Sequence, residues 1–402
     1  MCLYNRHMTH TRYDRNDIRL MNAASVLKLI RQNGALSRAN IASRLGLTRA
    51  TISKIVSDLL EINLVKEFSQ EKHNYLGRPG ILLDINSGAG AIIAIALDVD
   101  QIKIVVSDFN INKLWSLHEF TDASLDSVAL LQRISDFVER AVAYAADNKL
   151  RLYGICVAWS GLVDRNKRIL VYGPSSGLKD IHIGAQWENR FKLPVFLENE
   201  AHAGAIAAHY RDHNSSLRNM IYLSVGVGLA AGIYVDDLLL RGAHGFAGQV
   251  GHTPFRDNGL QCVCGKKGCW VTEVGAHAIR RELDSAGLGC VMESHDWVER
   301  TLELAKDGDS TVLHILNDLA RKIGEGLAQL VQSFNPSTVI IGGSVGVLFS
   351  FSKSAIFEDI SFRTMSSLSA SLKLVIMDSA DDRLYGCSVV VRESVLKHPP
   401  IR

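Results

Sequence analysis

The chain has 402 residues, 47% of them hydrophobic, with 44 Lys and Arg against 42 Asp and Glu and a formal net charge of +2. That length accommodates two or three domains, and a composition with only seven prolines argues against long disordered tracts. No apolar run approaches the roughly 20 residues that cross a bilayer, and the opening Met1-Cys2-Leu3-Tyr4-Asn5-Arg6-His7 lacks an apolar export core. The expectation is a cytoplasmic protein with no membrane span.

The charge is unevenly placed. Residues 1–80 hold 13 Lys and Arg against 6 Asp and Glu, while the remaining 322 hold 31 against 36. A basic front end on a mildly acidic body is the footprint of a nucleic-acid-binding module joined to something else. A motif fits it. Ile18 to Gln32 carries Leu20, Ala23, Val26, Leu27 and Ile30 at helical spacing and stops at Asn33-Gly34. Ser37 caps a short helix through Leu45, Gly46 makes the turn, and Thr48 caps a third helix to about Ile62. Ala42, Gly46 and Ile52 have helix-turn-helix spacing, with Ile52, Ile55, Val56 and Leu59 facing inward. The outer face keeps Thr48, Arg49, Ala50, Ser53, Lys54 and Ser57, small, polar or basic residues suited to a major groove of double-stranded DNA. Residues 64–68 and 81–84 read as a two-stranded wing. Arg78, extended between Gly77 and Pro79 at its tip, either reaches a minor groove or belongs to an ordinary turn.

From Ala91 the pattern becomes α/β. Ile92 to Asp98 is an apolar strand, and Ile102 to Asp108 alternates as its hairpin partner. A helix from about Ser127 to Ala146 and a strand from Leu152 to Ala158 follow. The second half repeats this opening: strand Met220 to Val225, a turn at Gly226 and Gly228, return strand Ala230 to Tyr234. A helix from about Thr311 to Phe334 then leads into the strand Thr338 to Ile341. Two α/β halves with a cleft between them are predicted.

Within the second half lies His252…Cys262-Val263-Cys264-Gly265-Lys266-Lys267-Gly268-Cys269. Thiolate and imidazole are the ligands zinc prefers, and four of them close a tetrahedral site with no position for a reacting water. His252, Cys262, Cys264 and Cys269 therefore predict a structural zinc clip. The alternative is three free buried cysteines; disulfides fit less well, because the other four cysteines are scattered.

The run Gly242-Ala243-His244-Gly245-Phe246-Ala247-Gly248-Gln249-Val250-Gly251-His252, together with the cysteine cluster, resembles the signature of the ROK family (repressors, open reading frames, kinases). A helix-turn-helix ahead of such a body resembles the family's repressor branch. The resemblance spans nearly the whole chain. It implies a winged helix-turn-helix over 1–84 and an actin-like sugar-kinase body over 85–402. The lobes would be about 85–200 plus the C-terminal helix, and 201–380. It also implies a homodimer or homotetramer.

The resemblance allows a residue-by-residue comparison with the family's kinases, which open with Asp-x-Gly-Gly-Thr-Lys. Here the segment is Asp98-Val99-Asp100-Gln101-Ile102-Lys103, without the glycines that cradle phosphate and with Asp100 in their place. The second loop, Ser224-Val225-Gly226-Val227-Gly228, has lost its threonine, and the kinases' Asn-Asp pair is Asn199-Glu200. No ATP binding, no catalytic residue and no enzymatic activity are expected. Of the family's sugar readers, Asn199, Glu200 and His252 match and Gln249 replaces a glutamate. Val271 replaces another glutamate, and Ser175 stands in the place of the Pro-Asn asparagine. Half of the readers survive, so an altered sugar or sugar-derivative effector is expected. The resulting expectation is a regulator, a repressor of carbohydrate uptake or catabolism genes. Control by a protein partner is the alternative, and an active sugar kinase a remoter one.

Overall fold

A computed structural model of the chain describes residues 14–69, 81–98, 101–120, 127–174, 177–212, 217–289, 295–377 and 382–401. They divide into two compact units, one from the described residues of Met1–Ala91, Asp108–Asn112 and Arg392–Arg402, the other from Ile92–Ser107 and Lys113–Val391.

In the first unit, α1 (Arg15–Asn33) starts with a capping box between Asp14 and Asp17 and buries Ala23, Val26, Leu27 and Ile30. The spacing of those four residues, three and four apart, makes one apolar stripe. Ser37 caps α2 (Arg38–Leu45), which ends at Gly46 in the left-handed region with φ 64°. Thr48 then caps α3 (Arg49–Glu61). Ile52, Ile55, Val56 and Leu59 fill the space between the helices. The strands β2 (Val65–Ser69) and β3 (Ile81–Ile85) pair antiparallel, and β3 also pairs with the two-residue β1 (Leu36–Ser37). That third strand is absent from the sequence expectation because two residues carry no periodicity.

The second unit contains two five-stranded sheets. The first has the order β11-β7-β4-β5-β6, from β4 (Ala91–Leu97), β5 (Gln101–Asp108), β6 (Lys113–Phe120), β7 (Leu152–Trp159) and β11 (Val195–Asn199). The second has the order β14-β13-β12-β15-β16, from β12 (Met220–Val225), β13 (Leu229–Val235), β14 (Leu238–Leu239), β15 (Thr338–Gly342) and β16 (Lys373–Ile376). Each sheet places its first three strands consecutively and then adds two later strands on the opposite side, the duplication read from the sequence. Alternation in β5 holds only through Ile104. Val105, Val106 and Ser107 are all buried because β5 lies inside the sheet with both faces covered.

The strands β8 (Leu162–Asp164), β9 (Ile169–Tyr172) and β10 (Lys179–Ile181) form a separate three-stranded sheet, and helices α4 (Ser127–Asp147) and α5 (Ile183–Phe191) precede β7 and β11. Helix α6 (Glu200–Arg211) follows β11 directly and is buried from Glu200 through Ala208. It packs against β12 and β13 of the second sheet. The long helix Ser310–Phe334 buries Val312, Leu316, Leu319, Ile323, Leu327 and Val331 in the core that also holds β12, β13 and β15. The β11–α6 junction thus brings the end of the first sheet against the second. No helix among the described residues is long and apolar enough to cross a membrane.

Candidate functional site

On α3, Thr48, Arg49, Ala50, Ser53, Lys54 and Ser57 are all exposed, while the alternate face is buried. Positions 49, 50, 53, 54 and 57 recur at helical spacing and form one stripe. Thr48 has a structural task as well, since its Oγ1 accepts from the Thr51 amide at 3.1 Å as the helix cap. Arg19 ties α1 to α3 through Asp58 at 2.7 Å, an ion pair that holds the polar stripe outward. Arg78 lies outside the described residues.

The predicted metal ligands come together. The donor atoms of His252, Cys262, Cys264 and Cys269 all lie within 4.8 Å of one another. Cys264 Sγ and Cys269 Sγ are 3.6 Å apart, and His252 Nδ1 is 3.5 Å from Cys262 Sγ. Two sulfurs each about 2.3 Å from one tetrahedral ion sit about 3.7 Å apart, whereas a disulfide would hold them near about 2.05 Å. Burial, then Lys266, lowers the His252 pKa and favours the neutral imidazole that ligates metal. The arrangement could hold a metal ion. It also fixes Val263, exposed at the loop tip, as part of the wall of a neighbouring cavity.

That cavity, of 30 Å³, is lined by Asn199, Glu200, Gln249 and His252, with Ser160, Gly228 and Val271 among its other walls. Four of the five sequence-predicted ligand residues therefore converge; Ser175 lies outside the described residues. Asn199 is largely committed to the protein. Its Oδ1 accepts from the Ala201 and His202 amides as the cap of α6, and its Nδ2 donates to Gly161 O at 2.9 Å. One amide hydrogen remains for a ligand. Glu273, two positions beyond Val271, accepts from Lys322 at 3.1 Å instead of entering the cavity.

Gln249 and His252 reach the cavity on a loop that runs flat along β13. A Cβ on Gly248 would meet Ala231 O at 1.8 Å, so only glycine, at φ 90°, fits there. The start of this loop is clamped by a residue that the sequence reading missed. Glu198, only 2% exposed, accepts from Arg241 Nη1 and Nη2 at 2.7 and 2.9 Å, and His202 Nε2 bonds to Ala247 O at 3.1 Å. Burial opposes the Glu198 charge, but the facing His202 and Arg241 outweigh it and hold the carboxyl at about 2.

The second missed residue is Arg383. Its guanidinium, 2% exposed, takes both oxygens of Asp98 at 2.7 Å each and lies 3.5 Å from Glu200 Oε2. Asp98 is thereby held below the usual carboxylate range against the penalty of burial. Glu200, with the weaker share of Arg383 and a bond from Ser160, is pushed up to about 7, burial being the main cause. The aspartate that opens the former phosphate loop is therefore neutralised by a permanent side-chain cation. Gly342 and Gly343 serve close packing, since a Cβ on them would meet Tyr222 Oη at 2.2 Å and Val225 O at 2.5 Å.

Residues 25–66 match the pattern of winged helix-turn-helix DNA-binding domains. The chain is 30% identical over 391 residues to the xylose repressor of Caldicellulosiruptor bescii, covering 95% of this chain and 98% of that protein. Its structure resembles the crystal structure of a ROK family transcriptional regulator, a homologue of the E. coli MLC protein. The TM-score is 0.81, with 26% identity over 95% of this chain and 97% of that one. It shares the fold of a ROK family glucokinase from Streptomyces griseus in complex with glucose and AMPPNP, at TM-score 0.66 and 24% identity over 76% of this chain and 100% of that one. The ROK family pattern itself matches residues 92–388, and the chain belongs to the ROK family.

Proposed function

We propose that the chain is a cytoplasmic, DNA-binding transcriptional regulator, a repressor of carbohydrate uptake or catabolism genes whose operator affinity responds to a sugar or sugar derivative. The convergence of Asn199, Glu200, Gln249 and His252 on one cavity carries this reading. Residues 1–84 serve as the DNA-binding module and 85–402 as the sensor, with a homodimer or homotetramer presenting paired recognition helices to a palindromic operator. Arg49 and Lys54 meet base edges or phosphates, Ser53, Ser57, Ala50 and the Thr48 cap shape the contact, and Arg78 follows the minor groove. Zinc on His252, Cys262, Cys264 and Cys269 serves structure alone.

The C. bescii relative is named a xylose repressor, and this function is consistent with that name. Phosphoryl transfer has no place in it. The first phosphate loop has lost its glycines, and the Asp98 charge is taken by Arg383. The cavity is small, 30 Å³. An effector shifts operator affinity only by binding one arrangement of the two halves better than the other. That is the coupling from sugar to operator. The small cavity also favours a second reading, control by a protein partner.

Thermal unfolding of the metal-loaded chain against a panel of monosaccharides, with their N-acetyl and phosphorylated forms, separates the two. A ligand at about 100 times its dissociation constant adds roughly 2.7 kcal/mol of stability. The account expects a shift with one sugar that Gln249→Ala reduces, a better test than Asn199→Ala because Asn199 also caps α6. No shift with any sugar rejects the sugar reading and favours the protein partner.

A further inference from the structure

The helix Asp382–Lys397 belongs to both compact units: its residues through Val391 lie in the second, and those from Arg392 onward in the first, with the DNA-binding helices. Its first turn reaches the residues of the Asn199 cavity. Arg383 holds both oxygens of Asp98 and lies 3.5 Å from Oε2 of Glu200, which lines that cavity. Nearly a turn further on, Gly386 approaches α6 so closely that a Cβ would stand 1.9 Å from Ala203 O. The helix therefore has no slack against the element that Asn199 caps. Ten residues after Arg383, roughly 15 Å along the helix axis, Glu393 Oε1 pairs with Arg31 Nε of α1 at 3.5 Å. Val395 and Leu396, in the same unit as α1, are buried.

A second element makes the same passage. Strand β5 ends at Asp108, and the turn Asp108–Asn112 is part of the first unit, where the fully buried Phe109 donates its amide to Ser87 O at 3.2 Å. The Asp108 carboxylate accepts from the amides of Asn110 and Asn112 at 2.8 Å each, which stiffens that turn. Helix and strand are bolted together. Ser107 Oγ donates to Ser388 Oγ at 3.2 Å, and Ser388 Oγ donates to Leu384 O at 3.0 Å. Both serines are buried and are flanked in sequence by buried Val106, Cys387 and Val389. Two alanines would fill the same place at little cost to stability, so the hydroxyl pair is not there for burial. What a directional bond sets, and apolar contact does not, is the register of the helix on the strand.

We propose that the helix Asp382–Lys397, registered on β5 by Ser107 and Ser388, carries the state of the Asn199 cavity to the DNA-binding helices, with Arg383 at its input and Glu393 at its output. This role presupposes the sugar effector proposed above. A ligand that changes the contact of Glu200 with Arg383 changes the seat of the first turn, and a hydrogen-bonded helix shifts as one body, so the change arrives at Arg31. The test uses the full metal-loaded chain. Thermal unfolding with a monosaccharide panel, D-xylose, D-glucose and N-acetyl-D-glucosamine among its members, finds the sugar that binds. Calorimetry then gives its dissociation constant, and fluorescence anisotropy gives the affinity for DNA from the chain's own upstream region with and without it. Arg392→Gly with Ser394→Gly softens the helix where the two units divide it, whereas Arg392→Ala with Ser394→Ala removes the same side chains and keeps it stiff.

The sugar should change the operator affinity of the wild type by about 5- to 150-fold, and the alanine pair should keep that factor. The glycine pair should reduce it to about twofold or less while binding the sugar within about threefold of wild type. Ser107→Ala with Ser388→Ala should lower the factor by about threefold or more, again with sugar affinity retained. A glycine pair that answers the sugar as the wild type does would overturn the proposal and leave the sugar reading standing. An alanine pair that loses the response as fully as the glycine pair would also overturn it, by assigning the effect to the side chains and not to the helix. If no sugar of the panel stabilises the wild type, the sugar reading itself falls, and this coupling with it. Should the glycine pair fail to fold, the serine-to-alanine pair carries the same test.

Discussion

Two glutamates on either side of Asn199 show how partners, more than burial, decide the state of a carboxyl. Glu198 and Glu200 are 2% and 6% exposed, yet the first is held at about 2 and the second pushed up to about 7. Glu198 has the whole Arg241 fork, whereas Arg383 gives its fork to Asp98 and only a 3.5 Å contact to Glu200. The two therefore act oppositely on folding. Glu198 contributes stability above about pH 4.5 that is lost as pH falls toward 2. Glu200, its folded pKa raised, favours the folded state most below about pH 4.5, and that contribution is lost as pH rises through 7. Replacing Glu200 with Gln removes the second slope. Relative to wild type, Glu200→Gln should gain on the order of 1–3 kcal/mol in denaturant unfolding between about pH 5 and about pH 8. An equal difference at both pH values contradicts the assignment of the proton to Glu200.

At the scale of elements, the cysteine loop makes the clearest claim. Its backbone is tied by Cys262 N to Lys266 O at 2.8 Å and by bridges from Pro254 to Cys269 and Gln261 to Lys267. Behind it, Trp270 is 2% exposed and donates to Lys322 O at 3.2 Å, anchoring the last sulfur to the long core helix. With zinc bound, elemental analysis should find one ion per chain. Cys264→Ser should lose it and lower the melting temperature, because metal binding here adds to folding. Full metal content in that variant contradicts the ligand set. The gathering of these four side chains was legible in the sequence because three cysteines in one short, glycine-punctuated segment, with a histidine ten positions before it, are a ligand set that zinc prefers. The helix-turn-helix was legible through its caps at Ser37 and Thr48 and its turn at Gly46. Strand β1 was not, being two residues that pair only once β3 arrives from more than forty positions away.

For the whole molecule, the repeated strand order of the two sheets was readable because buried strands are apolar runs between turn residues. What lay beyond reach was chemistry made by long-range pairing. Arg383 and Asp98 are 285 positions apart, and nothing near either marks the other as a partner. Likewise, Arg241 reads as a loop residue until the fold presents it to Glu198. The loss of the phosphate-loop glycines is visible in the sequence; the fold adds that the aspartate of that loop is paired internally. In the proposed function, the β11–α6 junction, the His252–Cys269 loop and the Glu198–Arg241 clamp are the elements through which a ligand at the Asn199 cavity would act on the rest of the body.

The measurement that tests this most directly is binding of the full chain to DNA from its own upstream region, followed by fluorescence anisotropy at fixed salt with and without each sugar. The account predicts specific binding that Arg49→Ala weakens by about 1–3 kcal/mol. It also predicts that one sugar changes operator affinity by about 5- to 150-fold, an effect reduced in Gln249→Ala. Operator affinity indifferent to every sugar, or equal affinity for unrelated DNA, would contradict it.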